Sequence, residues 1–394
     1  MNTGATIYLL FQLLLLLWLL LPVILYCLSR FRSGVGIKKA AVCQRDYAII
    51  VTAYEQTDLL PAVVDSILQI EYADYLVYVV ADKCDISNLH FDRDKVILLR
   101  PEHTLASNTR SHFYAIHHFR RDHDILTIID SDNLVHPEYI NELNRYFEQG
   151  FEAVQGIREA KNLNTTYACL DAARDIYYHF YDGEILFRLG SSATLAGSGM
   201  AFTTNLYKEC LGHLDITGAG FDKVLQAEII KRNKRIAFAE KAIVYDEKTT
   251  HSGQLVNQRS RWINTWFKYF GYGFTLIAKG IKKRSVNQLI FGIVLLRPPL
   301  FIFLLLSLLC LLIDCWIAPV MAVVFFLSFG CFIASFFIAL KKSGTEKKIY
   351  RSLLYIPKFM FYQVLSLMKI RNANKRSVAT KHSYATEATD KKSS

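Results

Sequence analysis

Two carboxylates stand one residue apart in the stretch DILTIIDSDNLVHPEYI (124–140), at Asp130 and Asp132. The apolar run before them, 125–129, is short and rich in β-branched residues, which predicts a buried strand. Pro137 and Glu138 then open a helix, since proline suits a first-turn position and an acid suits the positive end of the helix dipole. The two acids therefore fall in a loop at the carboxyl end of a strand, the rim where open α/β sheets bind ligands. In an extended stretch, residues two apart point the same way. Facing carboxylates repel unless a cation or a proton lies between them. Taken alone, the pair also fits a solvated turn with a capping Asp.

The neighbouring elements favour a site. YAIIVTAY (47–54) reads as a strand that ends at Tyr54-Glu55, and YLVYVVAD (75–82) as a strand that ends at Asp82. A helix over 59–68, a strand over 96–100 and a helix over 109–119 complete an α/β alternation. That alternation predicts a parallel, doubly wound sheet. Parallel strands place their carboxyl-end loops on one edge, so the loops after 54, 82 and 130 converge on a nucleotide-sized site. There is no G-x-G-x-x-G and no Walker sequence, and GSGMAF (197–202) reads only as a short glycine turn.

The chain has 394 residues, 52% of them hydrophobic, and a net charge of +11. Its basic clusters flank apolar segments: Arg30, Arg32, Lys38 and Lys39; then Lys279, Lys282, Lys283 and Arg284; then Lys341, Lys342, Lys347 and Lys348. That placement fits membrane topology better than a nucleic-acid groove, so a lipid bilayer is an expected partner and nucleic acid is not. The segment 5–28 is uncharged, and a span needs about 20 residues. It has no basic region before it and is too long for a signal peptide. Two more spans are expected between 288 and 340, divided near Asp314 and Pro319, with Arg297-Pro298-Pro299 breaking the chain before the first of them. The basic clusters predict a multi-pass protein of the cell (inner) membrane, with its N-terminus outside and its middle and C-terminus cytoplasmic. The eight cysteines form no CxxC pair, so no zinc or disulfide framework is expected. The expected division is an anchor and basic linker (1–39), a catalytic domain (40–253), interfacial helices (254–287), two spans (288–340), an amphipathic interfacial segment (341–370) and a basic, disordered tail (371–394).

One more motif completes an ordered set: Gln258-Arg259-Ser260-Arg261-Trp262, a Q-x-x-R-W ahead of the paired spans. With Asp82, Asp130-Ser131-Asp132, 197–200 and Asp222 in GAGFDKVLQAEI, it resembles the inverting glycosyltransferases of family 2. The likeness is to the membrane branch that holds cellulose, chitin, hyaluronan and poly-N-acetylglucosamine synthases. The resemblance implies a GT-A-like α/β fold with a mixed, mostly parallel sheet, joined to three transmembrane helices and interfacial amphipathic helices. It implies that Tyr54 and Glu55 line the nucleotide loop, that Asp82 reads uracil, and that Asp130 and Asp132 hold Mg2+ or Mn2+ on the diphosphate. It further implies that Gly199 lies in an acceptor-side turn and that Asp222 is the catalytic base. Two positions depart from the pattern. Phe221 stands where the family usually has Glu, and Asn108 where it often has a basic residue, with Arg110 nearby.

The residue types suit those roles. Carboxylates are hard oxygen ligands for Mg2+ or Mn2+, and two of them leave room for diphosphate oxygens and water. A carboxylate at Asp82 accepts the imide N–H of uracil. An inverting transfer needs one base to take the acceptor proton, the role expected of Asp222. Arg259 and Arg261 suit phosphate, and Trp262 suits stacking under a sugar; Gln258 and Trp262 share one helix face, with Arg261 beside them. Thr380 and His382 resemble tail segments that cover such sites. The expected function is transfer from a UDP-sugar to a glycan or lipid-linked acceptor, with polysaccharide synthesis as one form of it and single transfer as the alternative. Three spans are few for a one-chain pore, so export would call on an oligomer or a partner chain. A non-catalytic membrane scaffold is the other class, and Phe221 and Asn108 speak for it.

Overall fold

The computed structural model describes residues 3–32 and 44–370. Lys38, Lys39, Thr380, His382 and the expected tail at 371–394 lie outside them. The catalytic half is built on one eight-stranded sheet. Its strands are β1 (Tyr47–Tyr54), β2 (Tyr75–Asp82), β3 (Val96–Leu99), β4 (Ile125–Asp130), β5 (Leu134–Val135), β6 (Ala153–Ala160), β7 (Met200–Thr203) and β8 (Ile236–Asp246). They run in the order β3-β2-β1-β4-β7-β6-β8-β5.

The strands β3, β2, β1 and β4 are parallel, as the α/β alternation predicts. Their ends lie in register, Tyr54 opposite Asp82 and Thr52 opposite Asp130. Every residue of β2 is buried, which fits a strand covered on both faces. The parallel run ends at β4. The stretch read as a bare glycine turn continues into β7, which inserts antiparallel between β4 and β6. Thr127 fixes that insertion: its hydroxyl lies 2.8 Å from Tyr139 Oη and donates to Met200 O at 3.1 Å. The sheet is therefore mixed and mostly parallel, the GT-A-like arrangement.

Among the described residues, three helices are long and apolar enough to cross a bilayer: Thr3–Arg30, Leu300–Ile317 and Pro319–Lys342. At 1.5 Å per residue, an 18-residue helix covers roughly 27 Å, close to the hydrocarbon thickness. The helix Val286–Leu296 stops before them. Arg297 precedes proline, which disfavours helical backbone, and it is extended with ψ 122. A single residue, Ala318, joins the last two long helices.

The bundle is tied at both ends. Asp314 is fully buried. It accepts hydrogen bonds from Tyr8 Oη at 3.0 Å and Gln12 Nε2 at 2.7 Å, which fastens the first helix to the hairpin. At the other end Tyr26 packs on Phe180, and Tyr181 Oη donates to Ser335 O at 2.9 Å. The helices Lys347–Ser352 and Ile356–Met368 fall within the segment expected to lie on the membrane. They also pack on the catalytic half, through Ile349 against Cys169 and Ala172, and Phe359 against Leu170 and Leu255. Phe361 and Met368 on the second helix, and Leu354 in the turn between the two, stay exposed.

Asp314→Ala would leave the buried Gln12 amide without its acceptor. A loss of about 1–2 kcal/mol is expected, the scale of hydrogen bonds between membrane helices and of a buried unpaired group. Thermal unfolding in detergent, compared with Tyr8→Phe as the milder change, checks it; an unchanged midpoint would remove Asp314 from the bundle's support.

Candidate functional site

The ends of β1 and β4 open onto one cavity of about 1200 Å³. Thr52, Tyr54, Asn108, Asp130 and Asp132 line one wall, and Asp222 with its neighbours lines another. Ser198 Oγ accepts the Asp130 N–H at 3.0 Å, and Lys161 Nζ donates to the Asp132 carbonyl at 2.8 Å. Those bonds fix the backbone of the acidic loop and leave its side chains half-buried on the cavity rim.

Asp222 is placed by a glycine. Gly220 has φ +103, and a Cβ there would come 2.5 Å from Thr265 Cγ2 and 2.7 Å from the Tyr269 ring. The helix Ser252–Tyr269 therefore rests directly on the backbone where the helix Phe221–Lys231 begins. Phe221 turns into the core, its ring 5.1 Å from His112. Burial pushes the His112 imidazole down to about 3, so that packing is between neutral groups. The charged neighbour of Asp222 is Lys223, whose Nζ lies 3.1 Å from Oδ2.

Lys223 also donates to Leu195 O at 3.0 Å, one of five bonds that hold the cavity-lining segment 194–196. Thr194 N donates to Asp182 O at 2.9 Å, and Leu195 N to Gln226 Oε1 at 3.0 Å. Ala196 N donates to Gln155 Oε1 at 2.9 Å, and Ala196 O accepts from Arg158 at 2.6 Å.

A chain of buried ions backs the same wall. Arg158 reaches Asp246 at 2.5 Å, and Lys248 Nζ reaches Asp246 at 2.9 Å and Asp175 at 2.6 Å. Burial alone would raise Asp246 and Asp175. Arg158 and Lys248 outweigh it at Asp246, and Arg174, Lys248 and Arg158 at Asp175, so both stay well below the usual carboxylate range. Asp171 pairs with Arg259 and, at 3.3 Å, with Arg174. Both guanidiniums stand over the Trp262 ring, 4.4 Å for Arg174 and 4.3 Å for Arg259.

The sequence expectations divide accordingly. Tyr54, Asp130, Asp132, Asp222, Gln258, Arg259, Arg261 and Trp262 meet around one cavity. Gln258 Oε1 accepts from Thr249 Oγ1 at 3.1 Å, while burial pushes the Arg261 guanidinium down. Arg259 is already neutralised by Asp171, so it braces Trp262 where an open phosphate clamp was expected. Glu55, at φ 60, forms a rim pair with Lys83 at 2.6 Å, which holds its carboxyl below the usual range. Asp82 ends β2 in the interior at 2% exposure and does not line the cavity. Its two oxygens accept from Leu105 N at 3.0 Å and Ala106 N at 2.7 Å, so it pins that loop. Gly199 also needs correcting. Its carbonyl accepts from Gly156 N at 2.8 Å, and a Cβ would lie 2.9 Å from Val244, so it belongs to the sheet; Gly197 is the glycine on the cavity. Arg110 is engaged by Asp215 at 2.6 Å on the surface.

Gln155, Arg158, Asp182, Lys223, Gln226, Lys248 and Arg297 were not foreseen. Only the short strand pattern could have exposed Gln155 and Arg158, and it gives no partner. Among the described residues, no three His, Cys, Asp or Glu side chains gather to cage an ion. Asp130 and Asp132 still fit Mg2+ or Mn2+: they are a hard-oxygen pair on an open rim, where a diphosphate would supply the remaining ligands.

Residues 44–265 match the family model described as "Glycosyltransferase like family 2". No curated protein matches. Among solved structures, the mannosyltransferase PcManGT from Pyrobaculum calidifontis, in complex with GDP-Man and Mn2+, is similar at 13% identity and a TM-score of 0.54, over 91% of this chain and 98% of that one. S. aureus TarS 1-349 overlaps 59% of this chain and 65% of its own, at 13% identity and a TM-score of 0.39. At such identities the likeness to PcManGT is one of fold.

The ion chain sets an acid limit. Carboxylates held below their unfolded value contribute stability above about pH 4, and that contribution is lost as pH falls toward the folded value. The thermal midpoint is therefore expected to drop below about pH 4. In Lys248→Met, Asp175 and Asp246 lose a cation and titrate higher, so the drop should begin at higher pH. Midpoints measured from pH 3 to 7 on both proteins check this; superimposable profiles would remove Lys248 from the account.

Proposed function

The chain belongs to glycosyltransferase-like family 2, and on that premise we propose that it is an inverting, metal-dependent transferase moving a sugar from a UDP-sugar to a glycan or lipid-linked acceptor. It is a multi-pass membrane glycosyltransferase of GT-A fold with a nucleotide-sugar donor. One observation supports the finer reading most. A single cavity runs from Asp130, Asp132 and Asp222 to the walls of two transmembrane helices.

Asp130 and Asp132 would hold Mg2+ or Mn2+, which offsets the charge of the departing diphosphate. Asp222 takes the proton of the acceptor hydroxyl as that oxygen attacks the anomeric carbon from the face opposite the leaving group. Lys223, anchored on Leu195, keeps the Asp222 carboxylate facing the cavity. Tyr54 and the Glu55–Lys83 pair border the nucleotide. Asp82 acts from behind the nucleotide loop, holding 105–106 through the Leu105 and Ala106 amides. Gln258, Arg261 and the braced Trp262 receive the acceptor. The apolar cavity wall favours a single transfer over polymer export, which would need an oligomer or a partner chain. The acids assembled around one cavity speak against a scaffold.

The same purified preparation tests both roles. With Mn2+ and a panel of UDP-sugars, Asp222→Asn should keep donor binding and lose at least about a hundredfold in turnover. Asp132→Asn should lose the metal dependence of donor binding. Near-normal turnover in the first would send the base elsewhere; unchanged metal dependence in the second would clear Asp132 as a ligand.

We place the catalytic half and the C-terminus in the cytoplasm and the N-terminus outside, in the cell (inner) membrane. Arg30, Lys341 and Lys342, in the last turns of their helices, support this. A reporter active only outside the cytoplasm should work before Met1 and be silent after Ser394. The reverse pattern would turn the protein over.

A further inference from the structure

We propose that the acceptor is an amphiphile with an uncharged head bearing several hydroxyls, its hydrocarbon chain lying in the apolar limb of the cavity and its head read by Gln226 and Asp182. This rests on the transferase reading above.

The cavity changes character along its length. Its membrane limb is walled by Leu304, Leu305 and Leu308 on one helix and by Phe329, Phe332 and Phe336 on the next. Each set follows helical spacing, so each is one face of its helix. Neither stripe offers a nitrogen or oxygen on a side chain. A polysaccharide there would lose water from its hydroxyls and gain no partners. A hydrocarbon chain has no such loss and buries apolar surface.

The other limb is polar and incomplete. Gln226 is 1% exposed, and its Oε1 is fixed by Leu195 N, which sets the orientation of the amide. Its Nε2 then finds no hydrogen-bond partner among the described residues. Asp182 is 4% exposed; its Oδ2 pairs with Arg297, and its Oδ1 likewise finds no partner among them. Both residues line the cavity, and each is tied to one of two adjacent residues, Thr194 and Leu195. An unfilled donor and an unfilled acceptor thus flank one short segment. Buried polar groups are rarely left in that state. Separate hydroxyls of one head, each able to donate and accept, satisfy the two, whereas a lone hydroxyl fills only one of them. An anionic head does not, because Asp182 would repel it and already neutralises Arg297. Gln226 lies four residues after Asp222, on the same helix face, so such a head would sit one turn from the base.

The test uses the full chain in phosphatidylcholine nanodiscs and a dodecyl glucoside bearing a terminal diazirine. Saturable crosslinks are expected within 300–308 and 329–337. Unlabelled dodecyl glucoside should displace them at least about tenfold better than dodecyl phosphate, dodecanol or free glucose, the factor of roughly one hydrogen bond. Gln226→Glu keeps the acceptor for Leu195 N and removes the amide donor. It should weaken the probe by about tenfold with the UDP-sugar Kd unchanged. Crosslinks confined to outward residues such as Leu309 and Leu312, or equal displacement by dodecyl phosphate or dodecanol, would overturn the proposal without recourse to any variant. UDP-sugar binding in the same discs separates the two readings. Saturable labelling without donor binding supports the amphiphile site and sinks the transferase.

Discussion

Lys248 is a charge buried in protein at 2% exposure, and the site depends on how that charge is answered. An isolated ammonium in such surroundings costs several kcal/mol. Asp175 and Asp246 together offset it. Asp246 ends β8, while Asp175 sits on the helix Thr166–Tyr178, so one ammonium joins the sheet to that helix. The chain of charges continues through Arg174 and Asp171 to Arg259, on the helix that rests on Gly220. Removing Asp246 would leave Arg158, and removing Asp171 would leave the buried Arg259, without its ion-pair partner, so these elements hold their places together. The geometry between the acidic rim and Asp222 is thereby set before any substrate arrives, which is what positioning in catalysis requires.

The division of the cavity follows from the chain's own punctuation. Proline after Arg297 ends one helix and lets the next start as a span. The break places a guanidinium where the polar limb meets the apolar one, and Asp182 answers it from 115 residues away. Asp182 lies in a wide helical turn, His179–Ile185, of the kind that often marks functional sites. Gly183 within that turn is where a Cβ would come 2.6 Å from the Phe238 ring, so the turn lies flat against β8. The membrane bundle and the sheet thus share one wall, made by residues that neither could position alone.

How much of this was legible depends on the range of the interaction. β1 and β2 are apolar runs that end in polar loops, and their limits follow from the sequence because burial on both faces dictates composition over eight residues. The helix break at Arg297-Pro298-Pro299 was legible for the same local reason. β6 was not, because AVQGIREA puts Gln155 and Arg158 toward the cavity and loses the apolar signature of a strand. β7 was masked by the glycines before it. Asp82 was placed correctly at its strand end, yet the backbone amides that take up its oxygens come from a loop more than twenty residues on. The ion chain had no sequence signal, since Lys248 and Asp175 lie 73 residues apart and Arg158 and Asp246 lie 88 apart.

Phe221 shows how a departure from the family pattern is absorbed. In sequence it looks like a lost acid beside the base. In the fold it faces His112, which shares a hydrogen bond with Tyr207 at 2.7 Å, and all three residues are buried. An acid at 221 would be buried against that imidazole, a costly position without a cation. Phenylalanine packs there instead and holds the start of its helix against the core. The carboxylate at 222 is then the only one on the cavity side of that first turn, oriented by a lysine that the segment 194–196 keeps in place. The substitution that most suggested a degenerate enzyme is thus what the core requires at that position, and it leaves the base's own contacts intact.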